Sequence, residues 1–313
     1  MNALAKLNQA YESLFLPSQR TIYLGIFRVY VAFHITKKLL VQWPFLDVLY
    51  GKGSFVHWSP KIYDLIPTEI VHNHYLVICC AYLALAVMMA FGIGRRYTVA
   101  LVFACEELLN GTDGFVLDGG DNLLKFGLLY LIAANSFEVL SISKVHYQRA
   151  WQMRLDNFCT NVAVGCIVGH LLMAYFLSGS GKLHADVWYH GTAVYYTMLL
   201  ERFKGTSYNE LIVQNAYLVT LGTYSVMLWE MFFPVLIFNK RLRLPLLAFG
   251  VMMHLGIYIF MMINAFEIYF IANYGFFFTN AELISFKEWI VARWKRLFAK
   301  RSAVPLPVAS AQE

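Results

Sequence analysis

Charged residues are scarce in this sequence. Only 14% of its 313 residues are Asp, Glu, Lys or Arg, whereas about a quarter of the residues of a soluble globular domain are charged. Hydrophobic residues make up 59% of the chain and aromatic residues 17%. A soluble domain is therefore excluded. We predict an all-α, polytopic integral membrane bundle of about eight transmembrane helices, with the lipid bilayer as its main partner.

Two further signals are missing. The first twenty residues contain no long apolar run, so we expect no cleavable signal peptide. The cysteines fall inside apolar stretches and lack the spacing of a metal site or a disulfide framework, which indicates small core residues. They are Cys79, Cys80, Cys105, Cys159 and Cys166.

Apolar stretches that are long enough, or nearly long enough, to cross a bilayer occur eight times. They run from about residue 21 to 41, 75 to 94, 97 to 110, 122 to 140, 157 to 178, 212 to 238, 244 to 263 and 266 to 278. Between them, we expect segment 42–74 to lie along the interface and segment 192–200 to form a short re-entrant or interfacial helix. The chain is thus divided into an N-terminal segment, a transmembrane domain and a basic amphipathic tail that suits an anionic leaflet. These are residues 1–19, 20–280 and 281–313.

The positive charge is unevenly distributed over the loops. A net charge of +6 could indicate nucleic-acid binding, but the cations lie in short loops and at the C-terminus. One alternate set of loops holds 16 Lys and Arg residues and the other holds 5. The positive-inside rule then places both termini in the cytoplasm. It also places Lys182 and the turn with Asp118 and Asp121 on the outer side. Because the cations follow this rule, we expect no nucleic acid as a partner.

The stretch Tyr175–Ala193 is the most polar part of an otherwise apolar region. We expect the fifth span to break at its Gly-Ser-Gly sequence, residues 179–181, and to present Lys182 at the outer membrane edge. His184, Asp186, Trp188 and His190 follow within eight residues. Two interpretations remain open: an interfacial turn anchored by aromatic and basic side chains, or a functional site.

Several polar residues lie inside the spans, where they usually face the bundle interior. Arg28 and Glu230 are at similar depth, so we predict an intramembrane ion pair with a structural role. His34, His170 and His254 are near mid-depth on three spans. They could bind a metal, but their spacing favours hydrogen-bonded packing histidines, and we assign no metal site.

The aspartates from Asp113 to Asp121 alternate with glycines. Carboxylates separated by glycines can hold a cation, but this turn lacks the spacing of an EF-hand. It could equally be a solvated turn.

Several stretches together resemble one family. YFLSGSGKLHADVWYHGTA is similar to the lysine-containing signature of the HTTM domain, the membrane core of vitamin K-dependent γ-carboxylase and of many bacterial proteins. FRVYVAF, LDGGDNLLKF, WEMFFPVLIF and MHLGIYIFMMINAFEIYF are also similar to it. The resemblance runs from about residue 20 to residue 278, which is most of the chain, and implies a protein of a bacterial inner (plasma) membrane.

The resemblance implies that Lys182 is a catalytic base that deprotonates reduced vitamin K, for example menaquinol. The activity would be a quinol-dependent oxygenase or carboxylase-like reaction at the extracytoplasmic face. The corresponding enzyme classes are quinol epoxidases and carbon–carbon lyases. Partial desolvation at a membrane edge favours a neutral lysine, which can accept a proton. Tyr175 and Trp188 could then form walls for a quinone ring, with His184 and Asp186 close enough to tune the lysine.

Two other functions stay open. The carboxylase has a histidine in the stretch that here contains Asp118, Asp121 and the GGD turn. The chain also resembles the sporulation-delaying-protein B type in its size and in this turn. That type implies a non-enzymatic accessory factor for maturation or export of a secreted peptide, held by Lys182, Trp188 and the acidic turn. A transporter ranks last because no inverted repeat with broken helices is evident.

Overall fold

The computed structural model describes residues 3–54, 68–110 and 119–302, and every regular element in these ranges is helical. The all-α expectation is confirmed for this part of the chain. The helices in order are α1 (Ala3–Ser13), α2 (Thr21–Gln42), α3 (Leu46–Tyr50), α4 (Thr68–Ala90), α5 (Arg95–Asn110), α6 (Gly119–Ala133), α7 (Ala150–Leu183), α8 (Asp186–Tyr189), α9 (Ala193–Leu199), α10 (Asn209–Val213), α11 (Ala216–Leu236), α12 (Arg243–Met261), α13 (Asn264–Asn273) and α14 (Asn280–Ser302). Short 3-10 turns cover Trp43–Phe45, Glu201–Phe203 and Tyr274–Phe277.

Four helices are long and apolar enough to cross a membrane: Glu69–Ala90, Ala150–Leu183, Ala216–Leu236 and Arg243–Met261. This length and composition are compatible with a membrane protein. The other helices fall short of that standard for different reasons. Three charged residues interrupt α2, while α5 and α6 have only 16 and 15 residues.

Several helix bounds differ from the expectation. The fourth expected span ends at Ala133 and not at residue 140, and the chain continues without a helix to Arg149. α4 begins at Thr68, seven residues earlier than expected, and bends at His74, where φ is −122° and ψ is 16°. Part of the expected interfacial segment is therefore helical. Its residues 55–67 lie outside the described ranges.

One short-helix expectation is confirmed, and the basic tail is also helical. α9 occupies the segment expected to form a short helix, and α14 makes the basic tail helical as far as Ser302.

The bundle is formed by neighbouring antiparallel helices. α2 packs against α4, α4 against α5, and α7 against both α6 and α11. Aromatic side chains fill the centre between α2 and the C-terminal helices: Phe27 of α2 contacts the rings of Tyr269 and Phe276 edge-on, at 5.9 Å and 5.0 Å between centroids. This packing fixes α13 and the turn after it against the first long helix.

The expected pairing of Arg28 with Glu230 is wrong. Arg28 is fully buried and donates hydrogen bonds to three backbone carbonyls: Ser136 at 2.7 Å, Ala90 at 3.4 Å, and Leu140. The carbonyl groups at a helix end have no partner within the helix, and a guanidinium with five donors can satisfy several of them. Arg28 therefore joins the end of α4 to the chain after α6, while Glu230 has a different cationic partner.

Candidate functional site

The Gly-Ser-Gly sequence does not break the helix. α7 continues through residues 179–181 and ends at Leu183, so Lys182 lies in its last turn. The expected break is therefore wrong. Glycine disfavours a helix by only about 1 kcal/mol relative to alanine, and at position 179 the contact with a neighbouring helix explains the glycine.

At Gly179 the backbones of α7 and α11 approach each other closely. A Cβ atom at this position would lie 2.7 Å from the backbone nitrogen of Met231 and 3.0 Å from its Cα. Small residues allow helices to approach closely in membrane proteins. Because the backbones touch here, Glu230, the residue before Met231, lies opposite the last turn of α7.

Lys182 and Glu230 form an ion pair across this helix contact. The ammonium also donates to the hydroxyl oxygen of Ser178 at 2.8 Å, one turn earlier on α7. The Lys182 and Glu230 side chains are only 18% and 9% exposed. Trp188 of α8 covers the ammonium, with Nζ 4.8 Å from the ring centroid, a distance typical of a cation–π interaction.

A second hydrogen-bonded group lies two turns before Lys182 on α7. The hydroxyl of Tyr175 is 2.6 Å from Nε2 of His254 and 2.7 Å from the hydroxyl of Tyr274. All three residues are buried. The ring of Tyr175 contacts Trp229 and Phe233 edge-on, at 4.9 Å and 5.0 Å. The group joins α7, α12 and the turn after α13.

Two of the sequence candidates follow Lys182 closely in the chain, but in the described structure the ammonium bonds to Ser178 and Glu230 and not to them. His184 caps the end of α7 and its Nδ1 is 2.9 Å from the carbonyl oxygen of Ser180. Asp186 is exposed in the first turn of α8. Among the described residues, the side chains brought to Lys182 are those of Glu230, Ser178 and Trp188. No contact described here would let His184 or Asp186 tune Lys182, so that expectation stays a prediction.

Asp121 belongs to another polar cluster, between α2, α5 and α6. Its carboxylate accepts a hydrogen bond from the ammonium of Lys38 at 2.5 Å. Glu106 lies 3.8 Å from the same ammonium and accepts a hydrogen bond from the hydroxyl of Tyr82. Asp118 lies outside the described residues. The expected role of the acidic turn in binding a substrate stays a prediction.

The three mid-span histidines do not converge. His34 contacts the rings of Tyr30 and Tyr269, at 6.1 Å and 5.6 Å. His170 contacts Phe126 at 4.7 Å. Within the described ranges, no group of three or more His, Cys, Asp or Glu side chains could hold a metal ion. Aromatic packing accounts for His34 and His170, and hydrogen bonding for His254.

Sequence reasoning missed several members of these groups. Ser178 could have been found from its spacing, because it lies four residues before Lys182 and residues four apart share a helix face. Trp229 and Tyr274 carried no such signal, since their position depends on which helices are neighbours. The pairing of Lys38 with Asp121 was missed for the same reason.

No family model matches the chain, and neither a curated protein nor a solved structure matches it.

Proposed function

We propose that this chain is an HTTM-type protein of a bacterial inner membrane with eight transmembrane segments and both termini in the cytoplasm. The four long apolar helices support the membrane location. α2, α5, α6 and α13 with its following turn would add the other four crossings. The loop distribution of lysine and arginine supports the orientation.

We further propose that the Lys182–Glu230 pair performs proton transfer on a lipid-soluble quinol. The observation that carries this proposal is a lysine held against a carboxylate inside a largely apolar bundle, with an aromatic ring over its ammonium. Structural pairs of this kind occur, but intramembrane charges commonly mark proton and substrate sites. The Tyr175–His254–Tyr274 group, two turns away, adds groups that can donate and accept protons.

Glu230 gives Lys182 a route to the neutral form that a base requires. In a medium of low dielectric, two charges are costly to keep even when paired. Transfer of one proton from the Lys182 ammonium to the Glu230 carboxylate leaves a neutral amine and a carboxylic acid. The amine can then accept a proton from a bound hydroxyl group, and the carboxylic acid can release its proton afterwards.

The residues around Lys182 suit an aromatic diol. Lys182 and Ser178 would hydrogen-bond its hydroxyl groups, and Trp188 would lie against its ring. Reduced vitamin K, which is menaquinol in many bacterial membranes, would supply reducing equivalents for a reaction with oxygen when bound. Carboxylase-like or epoxidase-like activity is the form of this chemistry that the family resemblance implies.

Replacing Lys182 with arginine tests the proposal. Arginine keeps the positive charge and the pairing with Glu230, but it is always protonated in proteins. We expect K182R and K182A to lose quinol consumption in nanodiscs that contain menaquinol and oxygen. A matched control is K204R, because Lys204 is paired with Glu210 at 2.5 Å in an exposed segment. Full activity of K182R would show that Lys182 is an anchor and not a base.

A second candidate function is a non-enzymatic factor for maturing or exporting a secreted peptide. The observation in its favour is that His184, Asp186, Tyr189 and His190 are exposed beside the Lys182 pair, where a peptide could bind. Mass spectrometry of a co-expressed secreted peptide separates the two functions. Added carboxyl groups on the peptide support the enzyme. A change in the amount or cleavage of the peptide, without new groups, supports the accessory factor if K182R retains the same effect.

A further inference from the structure

The C-terminal helix α14 has an unusual exposed surface. From Ile284 to Arg296 every residue is exposed. Phe286, Ile290 and Trp294 follow each other at intervals of four residues and therefore share one face. Phe286 and Trp294 are 59% and 60% exposed. Such a contiguous apolar surface in water indicates an interaction site.

Cations are frequent in the same segment, and Lys287 and Arg293 lie at the two edges of this apolar face. Lys287, Arg293, Lys295 and Arg296 are all exposed, against a single exposed acidic residue, Glu288, in the same segment. Arg293 lies over the ring of Trp289, 5.6 Å from its centroid. A helix with aromatic residues on one face and Lys or Arg at its edges is typical of helices that lie in the headgroup region of a bilayer.

The start of α14 is fixed where two other helices begin. Arg243, the first residue of α12, is paired with Glu282 and also donates to the carbonyl of Phe277 at 3.1 Å. Asn280 donates to the hydroxyl oxygen of Thr21, the first residue of α2, at 3.1 Å. Its side-chain oxygen accepts a hydrogen bond from the backbone of Ile22.

This attachment places α14 at a membrane boundary. α12 is one of the four helices that can span a bilayer, so the plane in which it begins is an edge of the apolar layer. Lys240 and Arg241, in the turn just before α12, are also exposed. The cations of this turn and those of α14 therefore belong to the same end of the bundle, where anionic headgroups would meet them.

We propose that α14 lies on the anionic leaflet of the membrane, with Phe286, Ile290 and Trp294 between the lipids and its cations at phosphate groups. The ligand is an anionic phospholipid surface. The proposal rests on the proposed membrane location but not on the chemistry at Lys182. Each Lys or Arg near such a surface increases binding about fivefold. The N-terminal attachment holds the helix at the surface before any lipid contact forms.

A fluorescent amino acid introduced in the full-length chain tests the proposal. At Ile290 the probe would report the apolar face. At Ala292, two residues on and exposed, it would report the opposite face as a matched control. The protein is reconstituted in nanodiscs of phosphatidylcholine alone, or of equal parts phosphatidylcholine and phosphatidylglycerol, with and without a lipid-borne quencher.

We expect the Ile290 probe to be quenched by lipid in the anionic nanodiscs several-fold more than in the neutral ones, and more than the Ala292 probe. Combining K287E, R293E, K295E and R296E should remove that difference. Equal quenching in both lipids would overturn the anionic part of the proposal. If the probe at Ile290 is shielded from water but is not quenched by the lipid-borne quencher, the whole proposal is overturned, because another copy or another protein then covers the apolar face. Quinol consumption by the same samples reports separately on Lys182.

Discussion

Glu230 of α11 is paired with Lys182 of α7 at the point where Gly179 lets the two helices touch. The close contact at Gly179 places the last turn of α7 opposite Glu230. Both side chains are largely buried, so each charge depends on its partner for stabilisation. The first prediction follows from that dependence.

Replacing only one member of the pair should be strongly destabilising. We expect K182M and E230M each to lower the free energy of unfolding by about 3–5 kcal/mol, because a buried charge then has no partner. The double variant should cost less than either single change. Denaturant unfolding in mixed micelles measures this double-mutant cycle. A coupling energy near zero would mean that the pair does not exist in the folded protein.

Arg28 and Glu230 should behave independently of each other. Arg28 donates to backbone carbonyls, so R28M should destabilise the protein whatever residue occupies position 230. For residues with no shared partner, the effects of two changes add to within about 0.5 kcal/mol. We expect the R28M/E230M double variant to meet that limit in the same unfolding assay. A larger favourable coupling would restore the direct pair that the sequence suggested.

The observed partners of Lys182 and Arg28 show which part of the site the sequence could predict. The residues themselves were found: Lys182, Glu230, Arg28 and His254 are polar side chains in apolar stretches, and such side chains rarely lack a role. Their partners were not found. The sequence shows how deep a residue lies along a span, but it does not show which helix is its neighbour. Arg28 and Glu230 were matched because their depths are similar, and the pairing was wrong for that reason.

The same division applies to the fold. Apolar runs gave the bounds of α2, α11 and α12 to within a few residues, because length and hydropathy determine them locally. α7 was expected to stop at its glycines, yet it continues to Leu183. Glycine marks either a helix end or a close helix contact, and only the position of α11 distinguishes the two.

The ion pair between Arg243 and Glu282 should make stability depend on pH. Hydrogen bonds from Arg243 lower the pKa of Glu282 from 4.5 to about 2. A carboxylate with a lowered pKa in the folded state stabilises the protein above its unfolded pKa and loses that contribution as the pH falls. We therefore expect the melting temperature to fall between about pH 4.5 and pH 2 through this pair.

The variant E282Q should remove this component of the pH dependence, whereas E288Q, on the exposed part of α14, should keep it. Because Glu282 is 39% exposed, solvent screening makes the effect modest. Identical pH profiles of E282Q and the wild type from pH 5 to pH 2 would contradict the assignment.

Gly179 provides the last test, because it connects helix packing with the candidate site. An added methyl group at this position meets the backbone of Met231 at 2.7 Å, and backbone atoms cannot move aside as a flexible side chain can. We expect G179A to lower the free energy of unfolding by about 1–3 kcal/mol, the usual cost of overpacking. G179V should cost more and should separate Lys182 from Glu230.

Gly169 is the matched control on the same helix, since a Cβ there has nothing within 4 Å. G169A should be neutral or should stabilise the protein by about 0.5–1 kcal/mol, because alanine favours a helix over glycine. The Lys182–Glu230 ion pair gives the second measurement. In the G179V background, E230M should lower the free energy of unfolding far less than it does in the wild type. If G179A and G169A unfold alike, α7 and α11 do not touch at Gly179, and the ion pair between Lys182 and Glu230 loses its structural basis.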